Sequence, residues 1–165
     1  MASMKKVLTV LAVGLLAASA VLANSPGTHG LRPDEIIPMD ELKGWVEGNK
    51  KFLLFDARDR KSYNQAHIRG AVLPFSDDFF KQQELYQQGI VQALPDREKA
   101  LAEGMQKYPK GTRIITYCNS NCGASASLLF ALRKLGFTNI RSMEDGIQEW
   151  QKKGYPVAGN SSPPK

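Results

Sequence analysis

The chain has 165 residues, of which 42% are hydrophobic and 23% are charged, and its formal net charge is +6. The basic residues are scattered along the chain and form no dense stripe interleaved with aromatic residues, which argues against a nucleic-acid partner. These values describe a mildly basic protein with enough apolar residues for a core.

Residues 1–23 have the order of a secretory signal peptide. Two lysines precede an apolar run at residues 7–22, and the residues up to Ala23 are small or short enough for a signal peptidase. We therefore predict cleavage after Ala23, with Ala20 as the second choice, and export to the bacterial periplasm. An uncleaved membrane anchor is the alternative, because about 17 apolar residues approach the length of a bilayer span. Removal of the segment lowers the formal charge from +6 to +4, since it holds two lysines and no acidic residue.

About 140 residues then remain, which is enough for one domain with a sizeable hydrophobic core. Residues 24–34 are rich in small and polar residues without an apolar period, so we expect a flexible lead in which His29 is solvated. Residues 159–165 have the same character and are expected to form a disordered tail. The folded domain is accordingly predicted at residues 35–158.

The first part of this domain alternates strand and helix patterns. Residues 35–37 suit a short edge strand. Residues 41–47 suit a helix that Asp40 caps and that ends at Gly48. Residues 51–56 form an apolar run, which is typical of a strand buried on both faces.

Residues 77–110 are the longest stretch between predicted strands, and their pattern indicates a helical insertion. Two helices, at residues 78–88 and 96–107, are separated by a break at residues 94–96. Four apolar side chains of the first helix are predicted to pack in the core: Phe79, Phe80, Leu85 and Tyr86.

The last part of the domain repeats the alternation. Residues 113–118 are rich in β-branched and aromatic side chains and predict a strand, and residues 139–143 predict a weaker one. Helices are predicted at residues 125–135, with Gly136 as the stop, and at residues 145–152. Strands that alternate with helices predict an α/β domain with a mostly parallel central sheet.

Both cysteines lie in the loop after the predicted central strand. In an oxidising compartment two cysteines pair by default, so a static disulfide between Cys118 and Cys122 is one hypothesis. Cys118, however, lies at the carboxyl end of the strand, where open α/β sheets bind ligands, and a helix begins near Ala124 or Ser125. Free backbone N–H groups and the helix dipole stabilise a thiolate at such a position. We therefore expect the pKa of Cys118 to fall below the free value of about 8.5.

Two groups of motifs occur in order along the domain. The first group is Asp56-x-Arg58, Tyr63 and His67-Ile68-x-Gly70-Ala71. The second group is Cys118, Gly136-Phe137, Asp145-Gly146, Trp150 and Gly154-Tyr155-Pro156-Val157. With these motifs, the chain from Ile36 to Val157 resembles the rhodanese-like domain family, the thiosulfate sulfurtransferase fold. The resemblance implies a single three-layer α/β domain with a mostly parallel central sheet flanked by helices.

The resemblance also implies sulfur transfer through one cysteine, here Cys118. Its thiolate would attack the outer sulfur of a small donor, expel the remainder and hold a persulfide, which a thiol or another thiophilic acceptor then collects. The chemistry requires no metal and no cofactor, and residues 77–110 are a candidate surface for a protein acceptor. Loop amides would form the anion cradle, and the residues of that cradle are Asn119, Ser120, Asn121, Cys122, Gly123, Ala124 and Ser125.

The loop departs from the family pattern in its charge. The family loop usually carries an arginine or another donor after the cysteine, whereas residues 119–124 hold no cation. A charge-assisted hydrogen bond contributes about 1.5–3 kcal/mol, so its loss predicts weak binding of a dianion such as thiosulfate. Ala124 is the sixth residue after Cys118, where related phosphatases and arsenate reductases need arginine, which argues against phosphatase chemistry.

Two other functions stay open at this point. Cys122 is a candidate resolving thiol that would attack a persulfide or sulfenic acid on Cys118 and make the protein a thiol–disulfide redox protein. Alternatively, the domain is catalytically inactive and binds a partner through residues 77–110.

Several polar residues are predicted to support the site. Asp56 ends a buried strand and is expected to accept loop amides or to pair with Arg58 as scaffold. Arg58 is alternatively the cation that the loop lacks, if it faces the pocket. His67 is expected to anchor a turn through a hydrogen bond, and Ser125 is placed to cap its helix, with its hydroxyl near the bound sulfur.

Overall fold

The computed structural model describes residues 29–160, so the predicted signal segment at residues 1–23 lies outside the described part, as do residues 24–28 and 161–165. The described strands are, in chain order, β1 (Leu53–Asp56), β2 (His67–Ile68), β3 (Ile114–Tyr117), β4 (Ile140–Met143) and β5 (Val157–Ala158). The strands β1, β3 and β4 form a parallel sheet with β3 in the middle, and β2 pairs with β5 in antiparallel fashion.

Helices occupy the connections between these strands. In chain order they are α1 (Met39–Glu47), α2 (Arg60–Gln65), α3 (Asp77–Gln87), α4 (Arg97–Met105), α5 (Ala124–Lys134) and α6 (Gly146–Lys152). This order confirms the predicted α/β class with a parallel central sheet. Over residues 29–160, no helix has the length and apolar character needed to cross a bilayer.

The middle strand β3 is buried on both faces, which is why the domain has three layers. All four of its residues are buried. Ile115 and Tyr117 pack in one hydrophobic cluster, which includes Trp150, whereas Ile114 packs in a second cluster, which includes Leu132. Because neighbouring residues of a strand point to opposite faces, the two clusters lie on opposite sides of the sheet, each covered by helices.

The start of the described chain packs on this domain, contrary to the expectation of a flexible lead for residues 29–34. Leu31 is buried in the second cluster, and a 3₁₀ turn at Pro33–Glu35 follows it. The predicted edge strand is reduced to a single parallel bridge between Ile36 and Ser142. Burial of Leu31 contributes to the docking of this segment, because it removes apolar surface from water.

The predicted cap of the first helix is also wrong. The helix α1 begins at Met39, directly after Pro38, so Asp40 lies inside the first turn. Its carboxylate instead accepts hydrogen bonds from the hydroxyl of Tyr155 at 2.6 Å and from Nζ of Lys153 at 3.0 Å. Pro38 suits the start of a helix, since its fixed φ is compatible with helical geometry.

The insertion at residues 77–110 contains two helices, as predicted. Phe79 and Phe80, in the first turn of α3, are buried, whereas Tyr86, near the end of that helix, is 42% exposed. The prediction that Tyr86 belongs to the core is therefore wrong. The connection to α4 leaves Ile90 and Leu94 in solvent, at 63% and 52% exposure.

Asp56 is fully buried, and its side chain connects the end of β1 with Arg58 and with Tyr117 of β3. Its carboxylate accepts hydrogen bonds from Nε and Nη2 of Arg58, at 2.9 Å and 2.6 Å, and from the hydroxyl of Tyr117 at 2.7 Å. Arg58 also donates to the carbonyl of Ala66 at 2.6 Å, and its side chain is 8% exposed. Asp56 and Arg58 therefore form the predicted scaffold pair, and Arg58 does not serve as the cation that the cysteine loop lacks.

We expect Asp56→Ala to lower the free energy of unfolding by about 3–5 kcal/mol, because it leaves the buried guanidinium of Arg58 unpaired. Asp59→Ala is the matched control. It removes an exposed carboxylate that accepts from the backbone N–H of Ser62 at 2.8 Å and caps α2, which is worth about 1 kcal/mol. Urea unfolding of both variants measures the difference, and equal losses would contradict the scaffold role of Asp56.

Candidate active site

Cys118 follows β3 directly, at the carboxyl end of the middle strand, as the sequence predicted. The residue is 2% exposed, and both it and Cys122 are free thiols. The static disulfide is thus not formed in this structure. The loop curls tightly between β3 and α5, and Asn121 adopts a left-handed backbone with φ of +57°, a conformation that asparagine tolerates better than most residues.

The helix α5 begins one residue earlier than predicted, and this changes the role of Ser125. Gly123 is the residue that precedes the helix, so Ser125 is the second helical residue and does not cap it. Its buried hydroxyl lies 3.4 Å from Sγ of Cys118. The predicted capping role of Ser125 is therefore wrong, and a contact of its hydroxyl with a bound sulfur stays a prediction.

The sulfur of Cys118 is surrounded mainly by hydrogen-bond acceptors. The thiol has the carbonyl oxygen of Cys122 at 2.7 Å and that of Asn119 at 3.4 Å within reach. Burial of the thiol, with a further contribution from the Cys122 thiol, raises the pKa of Cys118 to about 11, although bonds from the hydroxyl and N–H of Ser125 act in the opposite direction. The expected fall in this pKa is therefore wrong for the free thiol, because desolvation outweighs the helix terminus.

Four of the predicted cradle residues have no described contact to the sulfur, namely Ser120, Asn121, Gly123 and Ala124. One of their amides is already used: the N–H of Ser120 donates to Oε1 of Gln148 at 2.8 Å. Gln148 also donates from Nε2 to the side-chain oxygen of Asn119 at 2.8 Å. This bracing could not be predicted, since Gln148 looks like any polar residue of a helix surface. The anion cradle as a binding site stays a prediction.

The position of Gly146, the first residue of α6, leaves no room for a side chain. A Cβ on Gly146 would lie 2.2 Å from the backbone nitrogen of Ser120 and 2.5 Å from the carbonyl carbon of Asn119. The following residue, Ile147, donates its N–H to the carbonyl of Cys118 at 2.9 Å. The start of α6 thus packs directly on the backbone of the cysteine loop and fixes its position.

A carboxylate lies behind Ser125, and sequence reasoning missed it. The hydroxyl of Ser125 donates to Oε1 of Glu144 at 3.3 Å, and the hydroxyl of Ser142 donates to the same oxygen at 2.5 Å. The other oxygen, Oε2, lies 2.9 Å from Nδ1 of His29. The ring of His29 also covers Gly123, where a Cβ would lie 3.2 Å from the ring carbon Cδ2. His29 is exposed, in accord with its predicted solvation, and its ring also borders the site.

Glu144 is the acidic side chain of the hydrogen-bond network around the sulfur. Within residues 29–160, the side chains that hydrogen-bond to Cys118, Ser125 or Glu144 include no lysine and no arginine. The same part of the chain contains no group of three or more histidine, cysteine, aspartate or glutamate side chains arranged to hold a metal ion. What the arrangement offers is a protected thiol, a hydroxyl at 3.4 Å and a carboxylate behind it.

With this fold and this cysteine position, the chain belongs to the rhodanese-like domain family, whose model matches residues 38–153. The chain is 28% identical over 116 residues to the probable adenylyltransferase/sulfurtransferase MoeZ from two strains of Mycobacterium tuberculosis. The match covers 70% of this chain and 24% of that protein, so the chain spans about a quarter of the length of these curated relatives.

Solved structures show the same fold. The solution NMR structure of a rhodanese-like domain from Anabaena has a TM-score of 0.57 at 20% identity, and the alignment covers 79% of this chain and 86% of that one. The crystal structure of thiosulfate sulfurtransferase from Pseudomonas aeruginosa has a TM-score of 0.50 at 14% identity, and the alignment covers 75% of this chain and 20% of that one. These likenesses confirm the predicted fold class.

Alkylation of Cys118 by iodoacetamide is expected to accelerate about tenfold per pH unit above neutral pH and to level off only near pH 11, since only the thiolate reacts. The denatured chain is the control, with a midpoint near the free value of about 8.5. A plateau of the alkylation rate below pH 9 in the folded protein would contradict the burial of the thiol.

The same shift predicts that the free energy of unfolding falls as the pH rises from about 8.5 towards 11, because the thiol of the unfolded chain ionises first.

Gly146→Ala is expected to destabilise the protein more than Gly154→Ala. Both glycines have a positive φ, +79° and +68°, so both variants lose about 1–2 kcal/mol for a strained backbone. Only at Gly146 does the new methyl group also collide with the cysteine loop, since nothing lies within 4 Å of a Cβ on Gly154. Urea unfolding gives the two losses, and similar values would mean that the contact between α6 and the loop is unimportant.

Proposed function

We propose that this protein is a sulfurtransferase that carries a sulfane sulfur as a persulfide on Cys118. Support comes from one observation above all: in a rhodanese-like domain, a free thiol lies at the carboxyl end of the middle strand, 3.4 Å from a buried serine hydroxyl. The curated relatives carry sulfurtransferase in their name, and the chain matches a quarter of their length.

The proposed reaction has two balanced steps. The deprotonated sulfur of Cys118 attacks the outer sulfur of an organic persulfide R–S–SH, the S–S bond breaks, and R–SH leaves with the proton that the cysteine gave up. A second thiol R′–SH then attacks the outer sulfur of the Cys118 persulfide and departs as R′–S–SH, which restores the cysteine thiol. No net oxidation occurs, so the cycle needs no electron acceptor.

Transfer requires two changes from the resting site. The sulfur must become accessible, since Cys118 is 2% exposed, and it must lose a proton that burial holds more tightly than usual. Opening of the loop would serve both, because contact with water lowers the desolvation cost of the thiolate. To stabilise the charged sulfur, the hydroxyl of Ser125 would have to turn its proton from Oε1 of Glu144 to the sulfur.

An organic donor suits the site better than thiosulfate. Thiosulfate carries two negative charges, and the described contacts of the sulfur provide no cation to receive them. A groove of about 400 Å³ lies beside the first turn of α5 and offers room for an organic group. It is lined by Phe75, Leu101, Ala124 and Leu128 together with the guanidinium of Arg97.

The redox function is a second candidate because the two thiols are free and interact with each other. If Cys122 attacks a persulfide on Cys118, the inner sulfur joins Cys122 in a disulfide and the outer sulfur leaves as hydrogen sulfide. This reaction would turn a carrier into a protein that releases sulfide and then needs reduction by an external thiol.

We also propose a set of partners and a location for the protein. A small donor and a thiol acceptor follow from the chemistry, and a protein acceptor through residues 77–110 is supported by the exposed side chains of Tyr86, Ile90 and Leu94. Export to the periplasm rests on the sequence of residues 1–23.

We expect reduced protein treated with an organic persulfide to gain one sulfur atom, seen in its intact mass and located on Cys118 by fragmentation. Thiosulfate should give the adduct more slowly by one or two orders of magnitude, since a charge-assisted hydrogen bond of about 1.5–3 kcal/mol is missing. Cys118→Ser should gain no sulfur.

Cys122→Ser separates the two candidates. If Cys122 resolves the persulfide, the wild type forms a disulfide and releases sulfide, whereas the variant accumulates the adduct. If Cys118 transfers its sulfur directly, both proteins hold the persulfide until an acceptor thiol is added. Failure of every donor to add sulfur to the wild type would reject the sulfurtransferase proposal.

A further inference from the structure

Glu144 places a carboxylate close to the reacting sulfur. Ser125 bridges the two groups, with 3.4 Å from its hydroxyl to the sulfur and 3.3 Å to Oε1 of Glu144, so sulfur and carboxylate lie within about 7 Å of each other. The side chain of Glu144 is 13% exposed. Two unit charges at this separation, in the effective dielectric of a protein surface, change a binding constant by roughly ten- to a hundredfold.

Contacts from three elements hold this carboxylate in place. The hydroxyls of Ser142, at the end of β4, and of Ser125, in α5, both donate to Oε1. His29, in the segment before the first helix, contacts Oε2. Two of these partners are neutral hydroxyls, so they orient the carboxylate without cancelling its charge.

His29 is the ionisable side chain that contacts Glu144 in the described part of the chain.

We propose that Glu144 selects substrates by charge, excluding sulfur donors and acceptors that carry two negative charges next to the reacting sulfur. The selected class is organic persulfides and thiols with at most one negative charge at that position. This inference deepens the proposed function and rests on it, but the charge selection itself acts on any reagent that approaches Cys118.

Two alkylating reagents test the selection without any sulfur transfer. Iodoacetamide and iodoacetate attack the same thiolate and differ by one negative charge on the reagent. The experiment measures both alkylation rates of Cys118 at pH 8 and low ionic strength, in Cys122→Ser protein so that one thiol reacts. The ratio of the two rates cancels any change in the ionised fraction of Cys118.

We expect Glu144→Gln to raise the rate with iodoacetate relative to iodoacetamide by about tenfold or more. Glutamine has the same shape and keeps an oxygen that accepts from the two serines. Asp145→Asn is the matched control, since it removes an equal charge from the exposed neighbouring residue and should change the ratio much less. Added salt should reduce the effect of Glu144→Gln.

An unchanged ratio in Glu144→Gln, or an equal change in Asp145→Asn, would overturn the charge selection. The sulfurtransferase proposal has its own readout, which is the persulfide adduct on the wild type. Either proposal, sulfur transfer or charge selection, can therefore fail while the other holds. With thiosulfate as the donor, Glu144→Gln should form the adduct at least tenfold faster, and a rate no higher than that of the wild type would count against the inference.

Discussion

The parallel register between β3 and β4 determines the site. Tyr117 and Met143 are paired in that register, so the residues that follow them, Cys118 and Glu144, leave the sheet side by side. A shift of one residue would turn every side chain of one strand to the opposite face, so burial of β3 on both faces holds the register firmly. The core therefore fixes the distance between the reactive sulfur and its neighbouring carboxylate.

The sequence predicts those parts of the site that have a recognisable pattern within a short stretch of residues. The apolar run before Cys118 predicts a buried strand, and the order of motifs around Asp56 and Gly146 indicates the family. The roles of Glu144 and His29 could not be read in the same way, because their contact joins residues 115 positions apart and neither lies in a distinctive pattern. The pKa of Cys118 was predicted in the wrong direction, since sequence shows the helix that stabilises a thiolate but not the depth at which the sulfur is buried.

The site combines features that suit a carrier of reactive sulfur. A buried thiol with a raised pKa reacts slowly with small reagents in solution, and the hydroxyl of Ser125 lies 3.4 Å from its sulfur. The buried pair of Asp56 and Arg58 lies next to β3 and stabilises the scaffold without adding a cation to the loop. Under the proposed charge selection, stability and selectivity are provided by different charged groups.

The contact between His29 and Glu144 ties the carboxylate near the sulfur to the earliest described segment of the chain. Its partners are 115 positions apart, so the contact closes a loop that spans most of the domain, and the entropy cost of closing a loop grows with its length. The orientation of Glu144 therefore depends on the docking of a segment that lies outside the sheet and its helices.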